Sequence, residues 1–507
     1  MKKTKKAPKT PEFAGQYDFD SVSLTRDLSR NTELLNSFFE GDETFIVREA
    51  VNRFNPALSY CLYFSDGMVS TGIINDNLLR PLINTDLSGL APSDDAVCAN
   101  ILQGNDTKKT GDLKDIIEAI VGGDTFVMVN GQDSGVVVNT KSFNVRSIAE
   151  PEDEKSLRGP REGFSELIMT NISLIRRKLK TCDLKFAFQT LGTRSNTRVC
   201  VCYLDSLIDK KVLKTLEERL SKIEIDGILD SNYIAEYIRD RPFSIFKTIG
   251  TSEKPDVVAA RLLEGRIALL VDGSPIILTV PYLFVENFQS PDDYYLNFYF
   301  ATIGRALRCI SFFITISVPA LYIALVAYHQ EMIPTTLLMS ISMAAKGVPM
   351  PAIVECTGML VVFELLRETG VRMPNKTGQA LSIVGALVVG QAAVEARIVS
   401  APMVIVVAVT GITGLMMPRI NAASIILRMI TLLSSAFFGL YGYYFAMIAF
   451  AIALLSMRSF DVDYTSQMFS FRFKDSKDTY IRAPMFLMKA RPHFLSKNKT
   501  RTGGTPS

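Results

Sequence analysis

Histidine is almost absent from this chain, with His329 and His493 its two examples, and no HExxH, GxSxG or Walker-type glycine loop occurs. Metalloprotease, α/β-hydrolase and P-loop chemistry therefore have no residues to work with, and no enzymatic activity is expected. Cysteine is sparse and unpatterned. The seven (Cys61, Cys98, Cys182, Cys200, Cys202, Cys309, Cys356) are odd in number and lack CxxC spacing, which fits reduced thiols and speaks against a disulfide framework or a structural zinc site. No metal and no cofactor is expected. A secretory signal is also missing, because Lys2, Lys3, Lys5, Lys6 and Lys9 are followed by no apolar core, so the amino terminus is expected in the cytosol. The net charge of +3 is too small to imply a nucleic-acid partner.

Apolar sequence, by contrast, is abundant and unevenly placed. The chain has 507 residues, 48% of them hydrophobic, and almost every long uncharged run follows Arg308. The expected fold class is a duplicated α/β or α+β cytosolic domain followed by an all-α, multi-span membrane domain. The expected divisions are a basic segment 1–39, cytosolic subdomains 40–150 and 165–300, a connector 151–164, a membrane domain 301–457 and a basic cytosolic tail 458–507.

Duplication is suggested by two stretches, Ile116 to Val138 and Val258 to Val280, each a helix, a glycine, a β-rich run, a turn and a second β-rich run. The turns carry Asn130-Gly131 and Asp272-Gly273, types that tolerate positive φ and suit a tight hairpin. Ser59 to Val69 and Arg198 to Ile208 are comparable strands upstream. The alternative is chance similarity of two ordinary hairpins. Between the copies, Glu150 to Phe164 is charged and broken by Gly159-Pro160; Arg158, Arg161 and Glu162 read either as an anion site or as a solvated hinge. One expectation is that Arg161 and Glu162 contact both subdomains.

In the membrane half, Cys309 to Tyr328 and Ile398 to Met417 are uncharged runs of twenty residues, and Met429 to Met457 is a run of twenty-nine that can tilt or break at Gly439 or Gly442. Met332 to Ala345, Ala352 to Leu366 and Ala380 to Val394 are shorter than a span. Basic residues flank both ends, which predicts cytosolic termini and an even number of crossings, taken as four. Ser382, Ala386 and Gly390 recur every four residues and suit close helix packing. Glu355 and Glu364 lie in an apolar stretch, where carboxylates usually face a bundle interior or a water-filled path. Glu355, Val362 and Leu366 share one stripe and are the candidate pore or gate; Glu364 and Glu368 lie towards the other side, near enough to Arg367 and Arg372 for charge pairing. The alternative is an interfacial amphipathic helix with snorkelling charges.

Several ordered blocks carry a family resemblance. They are Gly159-Pro160-Arg161-Glu162-Gly163-Phe164, Asn171 with Arg176-Arg177, Gly265-Arg266-Ile267 with Val271-Asp272-Gly273-Ser274-Pro275, Ser290-Pro291-Asp292-Asp293-Tyr294-Tyr295, Gly347-Val348-Pro349, Glu364-Leu365-Leu366-Arg367-Glu368, Gly370-Val371-Arg372-Met373-Pro374 and Gly390-Gln391-Ala392-Ala393-Val394. On these the chain resembles the A subunit of GerA-type spore germinant receptors. It departs from them at Glu253-Lys254-Pro255-Asp256 and at Phe246-Lys247. The resemblance implies a nutrient-receptor subunit in the inner membrane of a bacterial spore, partnered by a transporter-like B subunit and a lipoprotein C subunit. It further implies a homo-oligomer, in contact with membrane lipid, that opens an ion-conducting path. A secondary transporter is the competing class.

Overall fold

The computed structural model describes residues 23–88, 107–142, 150–151, 154, 156, 158–372, 385, 388–468, 478–479, 481–488, 490–492 and 494–496. Its first half holds two five-stranded sheets. In chain order the strands of the first are β1 (Phe45–Val51), β2 (Ser59–Ser65), β3 (Thr107–Thr110), β4 (Thr125–Val129) and β5 (Gly135–Val138). Those of the second are β6 (Leu184–Leu191), β7 (Thr197–Leu204), β8 (Gly250–Ser252), β9 (Ile267–Val271) and β10 (Ile277–Val280). Spatial order is β1-β2-β4-β5-β3 in one and β6-β7-β9-β10-β8 in the other, the same arrangement twice. Every pairing is antiparallel, so the architecture is α+β rather than α/β.

The turn residues explain the matching hairpins. Gly131 and Gly273 take φ of 92° and 85°, a region open to glycine at little cost, and the loops 130–134 and 272–276 are equal in length. The middle strands β4 (TFVMV) and β9 (IALLV) are buried at every position because helices cover both faces of each sheet. Val127 and Val129 pack against Ile74, Leu78 and Leu82, while Phe126 and Met128 meet Ile116, Ile120, Leu35 and Phe38. In the second sheet Leu269 and Val271 face Leu216, Ile234 and Ile238, and Ala268 and Leu270 face Ile172, Ile175 and Leu262. Each such aliphatic side chain contributes about 1.5–3 kcal/mol on burial.

The two sheet units are locked by a buried ion pair. Arg176, on the helix Ile168–Lys178, donates from Nη2 to Asp42 Oδ2 at 2.6 Å and to Thr44 Oγ1 at 2.8 Å. Glu43 N donates to Phe186 O at 3.0 Å beside it.

Helices dominate after residue 297: Phe298–Ala327, Thr335–Ala345, Ala352–Arg372, Ala401–Leu415 and Asn421–Leu455. Asn297 caps the first, accepting from Tyr299 N. By length and composition two helical stretches, Phe298–Ala327 and Pro418–Leu455, could cross a membrane. The last helix breaks at Gly439, whose φ and ψ are 60° and −139°. One sequence expectation is corrected: the helix starting at Ala352 runs on to Arg372, 21 residues rather than ending at Leu366.

The chain after Leu455 does not trail away. Arg458–Ser459 pairs with Val462–Asp463, Phe460 is fully buried in the core of the second sheet, and Ser459 Oγ donates to Thr248 O at 2.7 Å. Further on, Leu495 packs on Leu283 and Val285. Part of the expected basic tail is thus built into the second sheet unit, and Asp478 and Arg482 bond to the first long helix.

Candidate functional site

The Ala352–Arg372 helix carries most of the expected site. Proline at 351 stops a helix from continuing backwards through it, and the apolar run that follows packs Cys356 and Leu360 against Met403, Val407, Ile323 and Leu432. Those contacts fix which side of the helix remains open. Val354, Gly358, Val361, Leu365 and Glu368 are exposed, and at 100° per residue they fall within about 40° of one line. The open stripe is therefore rotated from the one expected. Val362 and Leu366 are half-buried on its flank, and Glu355 is turned inward, 4% exposed.

The turn inward has a local cause. Glu355 Oε1 accepts from Ser400 N at 2.5 Å and from Ser400 Oγ at 2.6 Å, and Ser400 is the residue capping Ala401–Leu415. A carboxylate there satisfies a backbone donor that the helix leaves orphaned and meets the positive end of its dipole. Glu355 in this chain is a capping group on the next helix, set apart from the open stripe.

Glu364 sits on the other flank with two cations. Arg367 Nη2 lies 2.6 Å from Glu364 Oε2 and Arg428 Nη2 lies 2.5 Å from Glu364 Oε1, while Arg367 Nη1 also donates to Asn421 Oδ1 at 3.0 Å. Arg428, 2% exposed and contributed by the last helix, was not singled out from sequence. Its isolation between apolar runs was the available signal, since an unpaired cation at that depth is costly. Glu368 is exposed, and the side chain of Arg372 lies outside the described residues. So do Ser382 and Ala386. Gly390 is buried, with room for no more than an ordinary contact: an added Cβ would lie 3.4 Å from Val404 Cγ1.

Where the helices meet the sheet units, charge is concentrated again. Asp293, of the short helix Asp292–Tyr295, accepts from Arg305 Nε at 2.9 Å and Arg308 Nη2 at 2.6 Å. Arg305 Nη1 reaches Asp478 Oδ1 at 2.7 Å, and Tyr294 OH donates to Asp478 Oδ2 at 2.8 Å. Burial pushes the Asp478 carboxyl up, and burial followed by the nearby Asp478 charge pushes the Tyr294 phenol up. Alongside lies a cavity of about 450 Å³ bordered by Arg261, Glu264, Arg266 and Arg419. Burial and the neighbouring Arg266 lower the Arg261 guanidinium to about 10, and Glu286 forms ion pairs with both arginines.

In the connector the expected residues lie at or near the surface. Arg158 is exposed. Arg161 is 72% exposed with a 3.9 Å pair to Glu150, and Glu162 pairs with Arg177 and Lys178, both on the helix of the second unit. These are partly exposed pairs, of the kind that contribute little. The tie is made by Glu154, which sequence reading missed. Its Oε1 accepts from Arg419 Nη2 at 2.6 Å and its Oε2 from Ser252 Oγ at 2.6 Å and Glu253 N at 3.1 Å. Arg419 opens the last long helical stretch and also donates to Gln289 O at 3.1 Å, so one carboxylate joins connector, second sheet and helical half. Among the described residues no group of three or more metal-ligating side chains occurs.

Comparison with known proteins places these features in context. The family model described as Bacillus/Clostridium GerA spore germination protein matches residues 33–494. Spore germination protein KA of Bacillus subtilis (strain 168) is 39% identical over 485 residues, covering 95% of this chain and 89% of that protein. The uncharacterized membrane protein YfkQ of the same organism is 36% identical over 482 residues, 95% of this chain and 93% of that protein. The crystal structure of the N-terminal domain of the A subunit of the Bacillus megaterium spore germinant receptor GerK3 is 29% identical, with a TM-score of 0.39 over 52% of this chain and 98% of that one.

Proposed function

From membership of the GerA spore germination family, to which this chain belongs, we propose that it is a membrane subunit of a nutrient germinant receptor that oligomerises into an ion-conducting path and so triggers germination. In this reading it works with a transporter-like B subunit and a lipoprotein C subunit in the spore inner membrane. Both termini face the cytosol. Support for the last point comes from the fold: Tyr282 and Phe284, ahead of the first long helix, pack with Tyr464, beyond the last one, and Phe460 lies in the core of the second sheet, which fits an even number of crossings.

The observation that carries the conduction reading is the open stripe of Ala352–Arg372. Val354, Gly358, Val361 and Leu365 are apolar or small and lie uncovered, while of the carboxylates on either flank Glu355 is hydrogen-bonded by Ser400 and Glu364 is paired with Arg367 and Arg428. Copies of this helix around an axis would bring the stripes together as an apolar constriction that closes by dewetting, with Glu368 at one mouth to favour cations. Val362 and Leu366 flank it. Smaller side chains at the constriction should leak, so spores carrying Val361→Ala or Val362→Ala should release ions with less nutrient or none. Unchanged basal release and unchanged nutrient sensitivity in a normally assembled receptor would remove this helix as the gate.

A secondary transporter remains the second reading because the last helix is broken at Gly439, the device that carriers use to build midplane sites. Saturable substrate flux with little current would favour it.

A further inference from the structure

Segment 239–247, Arg-Asp-Arg-Pro-Phe-Ser-Ile-Phe-Lys, leaves the helix Ser231–Ile238 and runs beside the end of the last long helix. Arg241 donates from Nη2 to Ser456 O at 3.1 Å and from Nη1 to Ser456 Oγ at 3.2 Å, immediately after Asn421–Leu455 ends. Phe246 is buried, its ring 5.8 Å from Phe450 and 6.0 Å from Phe284. Phe450 precedes Ser456 by six residues, about 9 Å along a helix axis. The segment therefore spans the level at which this apolar helix meets the sheet unit.

Its other apolar side chains face outward at that level. Phe243 is 100% exposed and Ile245 36% exposed, and Arg239, Arg241 and Lys247 flank them along the chain. A phenylalanine held fully outside a fold gains nothing from water. Aromatic rings flanked by cations are stabilised at a bilayer surface, where the ring enters the headgroup and acyl boundary and the cations meet phosphate.

We propose that segment 239–247 is a membrane-surface anchor, with Phe243 and Ile245 inserted among the lipids and Arg239, Arg241 and Lys247 on anionic headgroups. This rests on the reading that the helical half lies in a membrane. It would fix the height and tilt of the second sheet unit over the bilayer, next to the end of the last long helix.

The chain contains no tryptophan, so single-tryptophan variants report one place each. Full-length Phe243→Trp, Phe54→Trp, Phe313→Trp and Phe445→Trp proteins are reconstituted into vesicles of phosphatidylcholine and phosphatidylglycerol, with and without bromine on the acyl chains near the headgroup. Phe54 is exposed in the first sheet unit, and Phe313 and Phe445 are exposed on the two candidate spans. Phe243→Trp is expected to lose emission in brominated vesicles, more so as phosphatidylglycerol increases, while Phe54→Trp does not. Quenching of Phe313→Trp and Phe445→Trp with Phe243→Trp no more quenched than Phe54→Trp would overturn the anchor alone. A blue-shifted but unquenched Phe243→Trp, the sign of a protein occupant, would overturn it as well. Failure of Phe313→Trp and Phe445→Trp to quench would overturn the membrane reading and the anchor with it.

Discussion

Removing either partner of the Asp42–Arg176 pair should loosen the soluble half severely. Both side chains are 0% exposed and 2.6 Å apart, and Asp42 also accepts from Thr44 N at 3.1 Å and Thr44 Oγ1 at 2.7 Å. Arg176 stacks over the Phe186 ring at 4.9 Å, and its Nε and Nη1 have no hydrogen-bond partner. Asp42→Ala therefore strands a guanidinium that has little else to bond. Breaking a buried pair from one side typically costs about 3–5 kcal/mol. With roughly 2–4 °C per kcal/mol for a unit of this size, the first unfolding transition of the purified full-length protein should fall by roughly 6–20 °C. Replacing both residues with apolar ones, Asp42→Leu with Arg176→Met, should recover most of that loss, because a buried pair is nearly neutral relative to well-packed hydrophobic residues. A shift under about 1 °C for Asp42→Ala, or a double variant as unstable as the sum of the singles, would refute the reasoning, because independent sites add.

Three further outcomes follow from the same contacts. Glu154→Gln should weaken the tie to Arg419 and raise the nutrient concentration needed for germination at unchanged receptor abundance, measured as a dose–response of spores; an unchanged curve would separate the connector from signalling. Phe460→Ala opens a cavity in the second sheet core and should cost about 3–5 kcal/mol, read as rapid proteolysis after residue 457. Burial pushes the Cys182 thiol up from 9.0 to about 11. Its folded pKa is thus above its unfolded one, so its contribution is complete below pH 9 and lost as pH rises towards 11. Cys182→Ala should flatten that alkaline fall in melting temperature, a fall that the lowered pKa of neighbouring Lys185 opposes.

Local chemistry made some features legible in sequence and left others hidden. Asn130-Gly131 and Asp272-Gly273 announced their hairpins because turn preference is decided within a few residues, and long uncharged runs announced the first and last helices of the second half. Gly439 was legible as a point of breakage for the same reason. Partners far away in sequence were not. Glu355 finds Ser400 45 positions later and Glu364 finds Arg428 64 positions later, so the face each carboxylate occupies is set by packing. Periodicity alone put Glu355 in line with Val362 and Leu366, and it could not say that this line is rotated away from the open stripe. The connector shows the same limit: Arg161 and Glu162 stand out by composition, whereas Glu154 matters because Ser252 and Arg419 converge on it.

The most direct test of the conduction account is current through the assembled receptor with a cysteine placed in the stripe. Val361→Cys receptors, reconstituted with their partner subunits in a planar bilayer, should pass cations when nutrient is added. A water-soluble methanethiosulfonate cation should then block that current. The same reagent should leave the unsubstituted receptor unaffected, since Cys356 on this helix is buried. A nutrient-evoked current that persists undiminished after Val361→Cys has been modified would contradict the placement of the ion path along Ala352–Arg372.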